Sequence, residues 1–108
     1  MVRVLFVCLG NICRSPMAHG ALRGLIKERG LEGRVAVDSC GTSSHHCGEP
    51  PDPTMQQVAR QVGIALGDLQ SRQLRGSDFE QFDILVAMDS SNEADILARR
   101  PDDAPCEV

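Results

Sequence analysis

A cysteine and an arginine near the start of the chain enclose five residues, in the segment CLGNICRS. Cys8 follows the apolar run 4–7, and Arg14 precedes a Ser-Pro pair that is typical of a helix start. A thiolate is a strong nucleophile, and a guanidinium presents a planar fork of N–H groups that matches two oxygens of a phosphate. The spacing therefore indicates a sulfur nucleophile that faces a bound oxyanion.

The residues between Cys8 and Arg14 can form a nest of backbone amides. A loop that joins a strand to a helix directs several N–H groups to one point, where the helix dipole adds positive charge. Gly10 permits a positive φ angle, and Asn11 is one of the few other residues that tolerate it. Because such a field favours an ionised thiol, the sequence predicts an anion-binding loop around a nucleophile.

The rest of the chain alternates between strand and helix patterns. Short apolar runs predict strands over 3–8, 35–37 and 82–88. The first run is nearly continuous and rich in valine, which suits a strand buried on both faces of a sheet. Repeated strand-helix units favour a parallel sheet with helices on both faces. We therefore predict a single three-layer α/β/α domain over residues 1–108.

Three helices are expected to begin at capping residues. Ser15, followed by Pro16, predicts one helix, Asp52 before Pro53 predicts a second, and Ser90 in a capping-box spacing predicts a third. The apolar residues expected to face the core on the first two are Met17, Ala21, Leu22, Leu25 and Ile26, then Met55, Val58, Ala59 and Val62.

Polar residues follow each predicted strand. Cys8, Ser39 and Asp89 lie at or just beyond the three carboxyl ends, where parallel sheets bind their ligands. We expect these three side chains to converge on one rim of the sheet.

Composition limits the partners and the cellular location. A net charge of −4 argues against nucleic acid or an anionic membrane as a partner, because an acidic surface repels both. No apolar stretch approaches the roughly 20 residues that span a bilayer, and we expect a cytoplasmic protein. Five cysteines at irregular spacing form neither a disulfide framework nor a metal-binding pattern, so no metal or cofactor is expected.

The segment VCLGNICRSPMA contains the C-x5-R-S signature of cysteine-dependent phosphatases and closely resembles the low-molecular-weight protein tyrosine phosphatases. The resemblance continues in the family's order and covers nearly all of the chain. Its later blocks are DSCGT from Asp38, GEPPDP from Gly48, SRQ from Ser71 and MDSSN from Met88.

The resemblance implies that Cys8 attacks phosphorus and forms a phosphocysteine intermediate that water hydrolyses. Arg14 and the loop amides would hold the phosphate oxygens without a metal, and Ser15 would hydrogen-bond the Cys8 sulfur. Asn11 would fix the loop, with Ser39 and Asp89 in supporting roles. His45 stands where the family commonly has an aromatic residue against the substrate. The loop residues expected to bind substrate are Leu9, Gly10, Asn11, Ile12, Cys13 and Ser15.

The resemblance also implies the substrates. These would be phosphotyrosine in a protein or a small aryl phosphate, with inorganic phosphate or other oxyanions as inhibitors. Related proteins that prefer phosphoarginine carry threonine at the position of Ile12, so isoleucine favours phosphotyrosine.

The chain departs from the family pattern at its carboxyl end. Family members continue into a last strand and a C-terminal helix, with a general-acid aspartate in a later Asp-Pro motif. We expect this chain to be truncated before them, with reduced turnover because no acid protonates the leaving group. The strand 82–88 would then leave an apolar sheet edge open to self-association.

Two other functions stay open. One is a phosphate-binding module without turnover, favoured by the expected loss of the general acid. The other is a thiol-dependent arsenate reductase, although such proteins carry a cysteine pair after the third strand, where this chain has Met88. Redox disulfides between Cys8 and Cys13, or between Cys40 and Cys47, are further alternatives.

Overall fold

Three parallel strands form the centre of the molecule, and the first strand of the chain lies between the second and the third. The computed structural model describes all 108 residues. The elements in chain order are β1 Val2–Cys8, α1 Arg14–Glu28, β2 Val35–Gly41, α2 Pro53–Gln61, α3 Asp78–Gln81, β3 Ile84–Ala87 and α4 Ser90–Arg99. The predicted α/β fold with a parallel sheet is confirmed.

The central position of β1 determines where a ligand site can form. β1 pairs with β2 along its full length and with β3 from Val4 to Val7. The chain leaves β1 for a strand on one side of it and then crosses to a strand on the other side. Ligands bind at such a reversal, beyond the carboxyl ends of the strands, and here those ends are Cys8 and Ala87.

Helices pack on both faces of the sheet. Leu5 and Val7 point to one face, because alternate residues of a strand share a face, and they join a buried cluster with α3 and α4. On the opposite face α1 contacts β1 and β2. The other members of the buried cluster are Cys40, Leu74, Phe79, Leu85, Ile96 and Cys106.

Two helices begin at residues other than the predicted caps. Ser15 lies inside α1, and the N-cap position, Cys13, makes no side-chain capping bond. At α4 the cap is Asp89, whose carboxylate accepts a 2.8 Å hydrogen bond from the backbone N of Asn92. The predicted cap of α2 is confirmed, since Asp52 accepts a hydrogen bond from the backbone N of Met55.

Several predicted core positions are wrong. Leu25, Val58 and Val62 are exposed, whereas His19 and Gly20 are buried on α1. Strand β2 continues to Gly41 rather than ending at residue 37. The short helix α3 was not predicted, because four residues are too few to show a helical period.

The outer edge of β3 is partly covered by the chain itself. The backbone N of Leu85 donates to the carbonyl of Glu107, and the backbone N of Glu107 donates to the carbonyl of Asp83. Cys106 is buried beside this bridge. Self-association through this edge stays a prediction. None of the helices has the length and apolar character needed to cross a lipid bilayer.

Candidate active site

The loop after β1 curls around the sulfur of Cys8. Asn11 has φ 59°, a left-handed conformation, and its backbone N lies 3.0 Å from Cys8 Sγ as a hydrogen-bond donor. Gly10 has no positive φ, so the turn depends on Asn11 and the expectation for Gly10 is wrong. The Cys8 side chain is buried at the floor of this turn.

Ser15 presents a hydroxyl to the same sulfur. Its Oγ lies 2.9 Å from Cys8 Sγ, and Asn11 Nδ2 donates a 2.8 Å hydrogen bond to that Oγ. Because the Ser15 oxygen accepts from Asn11, its own proton is free to be donated to the sulfur. The pair of contacts from Asn11 and Ser15 stabilises negative charge on Cys8.

Arg14 lies at the rim of the loop, next to the start of α4. Its Nη1 donates a 2.8 Å hydrogen bond to Asp89 Oδ2, while the other oxygen of Asp89 caps α4. The hydrogen bond to Asp89 raises the pKa of Arg14, and those from the Asn92 backbone and Arg14 lower the pKa of Asp89. Asp89 therefore orients the guanidinium and leaves its remaining N–H groups available to an anion.

The end of β2 supports the loop from below. A side chain at Gly41 would place its Cβ 2.6 Å from the carbonyl oxygen of Leu9, so the missing side chain lets the two backbones approach. The backbone N groups of Thr42 and Ser43 donate to the carbonyls of Cys8 and Leu9, both at 2.9 Å. Gly41 was not among the predicted site residues.

A partly buried ion-pair network anchors the segment after α2 to the loop. The backbone N of Arg72 donates to Asn11 Oδ1 at 3.0 Å. The Arg72 guanidinium forms two hydrogen bonds to Asp78, which is fully buried, and two to Asp38. Burial lowers the pKa of Arg72, but the two carboxylates outweigh it and the pKa is raised. The sequence offers no local signal for this network, although Arg72 lies in the segment SRQ, which resembles the phosphatase family.

A cavity of about 370 Å³ opens above Cys8. The predicted residues His45 and Ile12 both contribute to its wall. His46, which was not predicted, also contributes and packs edge-on against His45, with ring centroids 4.6 Å apart. Its Nδ1 is 2.7 Å from Glu49 Oε2. The full lining is Cys8, Leu9, Gly10, Ile12, Cys13, Arg14, Ser43, His45 and His46.

Ser39 does not lie at the rim, contrary to the expectation. It is inside β2, paired with Phe6 in the register, and its Oγ is 2.9 Å from Nδ1 of His19 on α1. The sequence placed it beyond the strand because the run DSCGTSS resembles a turn.

All five cysteines are free thiols. Burial raises the pKa of Cys40 to about 12, so its thiolate is scarce at neutral pH. Burial, followed by the charge of Asp52, also raises the pKa of Cys13. Cys47 is exposed, whereas Cys106 is buried. No group of three His, Cys, Asp or Glu side chains is arranged to hold a metal ion.

A profile described as "Low molecular weight phosphotyrosine protein phosphatase" matches residues 3–104. The chain belongs to this family. It is 46% identical over 92 residues to the low molecular weight protein-tyrosine-phosphatase YfkJ of Bacillus subtilis, which aligns with 85% of this chain and 59% of YfkJ. It is 46% identical over 108 residues to the Schizosaccharomyces pombe phosphatase, covering 99% of this chain and 69% of that one. The chain thus spans less than two thirds of the length of YfkJ.

Solved structures share the fold. A protein tyrosine phosphatase of Entamoeba histolytica with Hepes in its active site has a TM-score of 0.92 and 39% identity, over 97% of this chain and 67% of that one. An arginine phosphatase of Drosophila gives 0.86 and 37%, over 96% and 67%. Wzb of Vibrio vulnificus, in complex with benzylphosphonate, gives 0.84 and 26%, over 98% and 70%.

Proposed function

We propose that this chain hydrolyses phosphotyrosine esters through a phosphocysteine intermediate. The observation that carries the proposal is the double contact on Cys8 Sγ, from the Asn11 amide and the Ser15 hydroxyl, beneath a rim that holds Arg14. Two donors on one buried sulfur favour a thiolate, and the guanidinium provides charge for the phosphate. Membership of the phosphatase family supports the same reaction.

The reaction has two steps. In the first, the Cys8 thiolate attacks phosphorus, an S–P bond forms, and the ester P–O bond breaks to release the phenolate. In the second, water attacks phosphorus and loses a proton to the solvent, the S–P bond breaks, and hydrogen phosphate leaves with the Cys8 thiolate restored. The loop amides and the free N–H groups of Arg14 hold the phosphate oxygens in both steps. The Ser15 hydroxyl stabilises the departing thiolate in the second.

The cavity wall suits an aromatic ester. Leu9 and Ile12 are apolar, and the His45 imidazole offers a flat face. The benzylphosphonate held by the related Wzb is an aromatic ligand of the same class. We therefore infer a phosphotyrosine-containing protein as substrate, with inorganic phosphate and other oxyanions as competitive inhibitors.

Phosphoarginine is the second candidate substrate, because the Drosophila arginine phosphatase is 37% identical to this chain. The guanidinium of phosphoarginine would add a positive charge next to Arg14, and the apolar side chain of Ile12 offers that guanidinium no hydrogen bond. We therefore expect hydrolysis of phosphotyrosine to be faster than that of phosphoarginine when both peptides are assayed at equal concentration.

Hydrolysis of p-nitrophenyl phosphate tests the proposal, since p-nitrophenolate leaves without much help from an acid. Cys8→Ser should lower kcat by about 1,000-fold or more. Cys47→Ser, at an exposed thiol outside the cavity lining, is the matched control and should retain the wild-type rate. Equal rates for wild type and Cys8→Ser would refute the nucleophile. Vanadate binding without hydrolysis would instead indicate a phosphate-binding module.

A further inference from the structure

A buried histidine lies one helical turn beyond Ser15. His19 and Ser15 occupy the same face of α1, because residues four apart on a helix are neighbours. Both side chains reach β2 at adjacent residues. His19 Nδ1 is 2.9 Å from Ser39 Oγ, and Ser15 Oγ is 3.4 Å from the carbonyl oxygen of Cys40.

The two contacts differ in strength. An O–H···O distance of 3.4 Å is long for a hydrogen bond, whereas 2.9 Å between His19 and Ser39 is typical of a good one. The Ser15 hydroxyl already makes shorter hydrogen bonds with Cys8 and Asn11, so it contributes little to holding α1 against β2. The contact of His19 with Ser39 is therefore the stronger polar link between this end of α1 and β2.

Both partners are almost completely buried. His19 is 7% exposed and Ser39 is 5% exposed, so water cannot replace either partner if the other is removed. Charged groups around the imidazole come from each neighbouring element: Arg23 on α1, Asp38 on β2 and Asp68 after α2. Burial is the largest influence and lowers the pKa of His19, so the ring is neutral at pH 7.

We propose that His19 is a positioning residue for the nucleophile: its bond to Ser39 fixes α1 at the height that brings the Ser15 hydroxyl to Cys8. The inference rests on the proposed phosphatase function. His19 touches neither substrate nor sulfur, and it acts through the placement of Ser15. Loss of the bond lets the start of α1 shift, which lengthens the contact between Ser15 and Cys8.

Two variants separate the hydrogen bond from the space that the ring fills. His19→Leu replaces the ring by an apolar side chain of similar size and leaves the Ser39 hydroxyl without its hydrogen-bond partner. His19→Asn loses volume but retains a polar atom near the position of Nδ1. We expect His19→Leu to lower kcat for p-nitrophenyl phosphate by about 10-fold, with KM changed less than about 2-fold. His19→Asn should stay within about 3-fold of wild type.

Alkylation of Cys8 by iodoacetamide at pH 7 is the second readout and does not require turnover. His19→Leu should slow it by about 10-fold, because the sulfur loses a hydrogen-bond donor. Ile26→Val is the control, since Ile26 is buried on α1 far along the helix from Ser15. It should lower thermal stability without changing kcat or the alkylation rate. If His19→Leu does not fold, Ser39→Ala removes the same bond and should give the same losses.

Wild-type kcat and alkylation in His19→Leu, or equal losses in His19→Asn and His19→Leu, would overturn the positioning role. These outcomes differ from failure of the phosphatase proposal, which would appear in wild type and Cys8→Ser alone. A loss in Ile26→Val as large as in His19→Leu would likewise overturn it, because general loosening of α1 would then explain the effect.

Discussion

Asp78 and Asp68 form nearly identical ion pairs in different surroundings, and the difference predicts their contributions to stability. Asp78 accepts from Arg72 at 2.9 and 3.0 Å, and Asp68 accepts from Arg23 at 2.8 and 3.0 Å. The Asp78 side chain is 0% exposed and that of Arg72 is 22% exposed, whereas Asp68 and Arg23 are 66% and 38% exposed. Geometry is matched, so burial is the variable.

Removing Asp78 leaves a largely buried guanidinium with one carboxylate, Asp38, and also orphans the backbone N of Arg75. Breaking a buried pair costs about 3–5 kcal/mol, whereas an exposed pair contributes about 0–1 kcal/mol. We expect Asp78→Ala to lower the free energy of unfolding by about 4 kcal/mol. For an m-value of about 2 kcal/mol/M, the urea midpoint falls by about 2 M.

Urea unfolding followed by circular dichroism measures both variants. Asp68→Ala should leave the midpoint within about 0.5 M of wild type. If Asp78→Ala is too unstable to purify, Asp78→Asn retains one acceptor oxygen and should show an intermediate loss. Equal midpoint shifts for Asp78→Ala and Asp68→Ala would refute the argument from burial.

Three further measurements test the site and the residues that support it. Asp89→Ala frees the Arg14 guanidinium, and we expect the inhibition constant of inorganic phosphate to rise about 3- to 10-fold in competition assays. The melting temperature should fall as pH drops below about 6.5, because burial lowers the pKa of His19 in the folded state and the unfolded chain is therefore protonated first. His19→Asn should remove the contribution of His19 to this fall. Burial and Asp52 raise the pKa of Cys13, so peptide mass spectrometry should show Cys8 alkylated before Cys13 at pH 7.

The sequence predicted the elements whose signals are local. The strand that ends at Cys8, the loop and the start of the next helix follow from apolar runs and turn residues that are adjacent in the chain. The Ser15 cap failed for a tertiary reason, since the hydroxyl binds Cys8 and Asn11 instead of the helix amides. Propensity describes what a residue does when nothing distant competes for it.

Contacts between distant residues could not be predicted. Arg72 reaches Asp38, 34 positions away, and no local pattern signals such a pair. His19 interrupts an apolar stripe, and composition alone does not distinguish a buried, bonded histidine from an exposed one. The role of Gly41 was equally hidden, because it depends on a distant segment. A Cβ at this position would lie only 2.6 Å from the carbonyl oxygen of Leu9.

The loop 8–14 is held in place by hydrogen bonds to residues that are distant in the chain. Arg14 pairs with a carboxylate 75 residues away, and the Asn11 side chain accepts from a backbone 61 residues away. A site of this kind attains its shape only once most of the polypeptide has folded. An oxyanion that binds it therefore shifts the folding equilibrium itself, by RT ln(1 + [L]/Kd), or about 2.7 kcal/mol at 100 times Kd. A buffer oxyanion that occupies the loop therefore raises the apparent melting temperature.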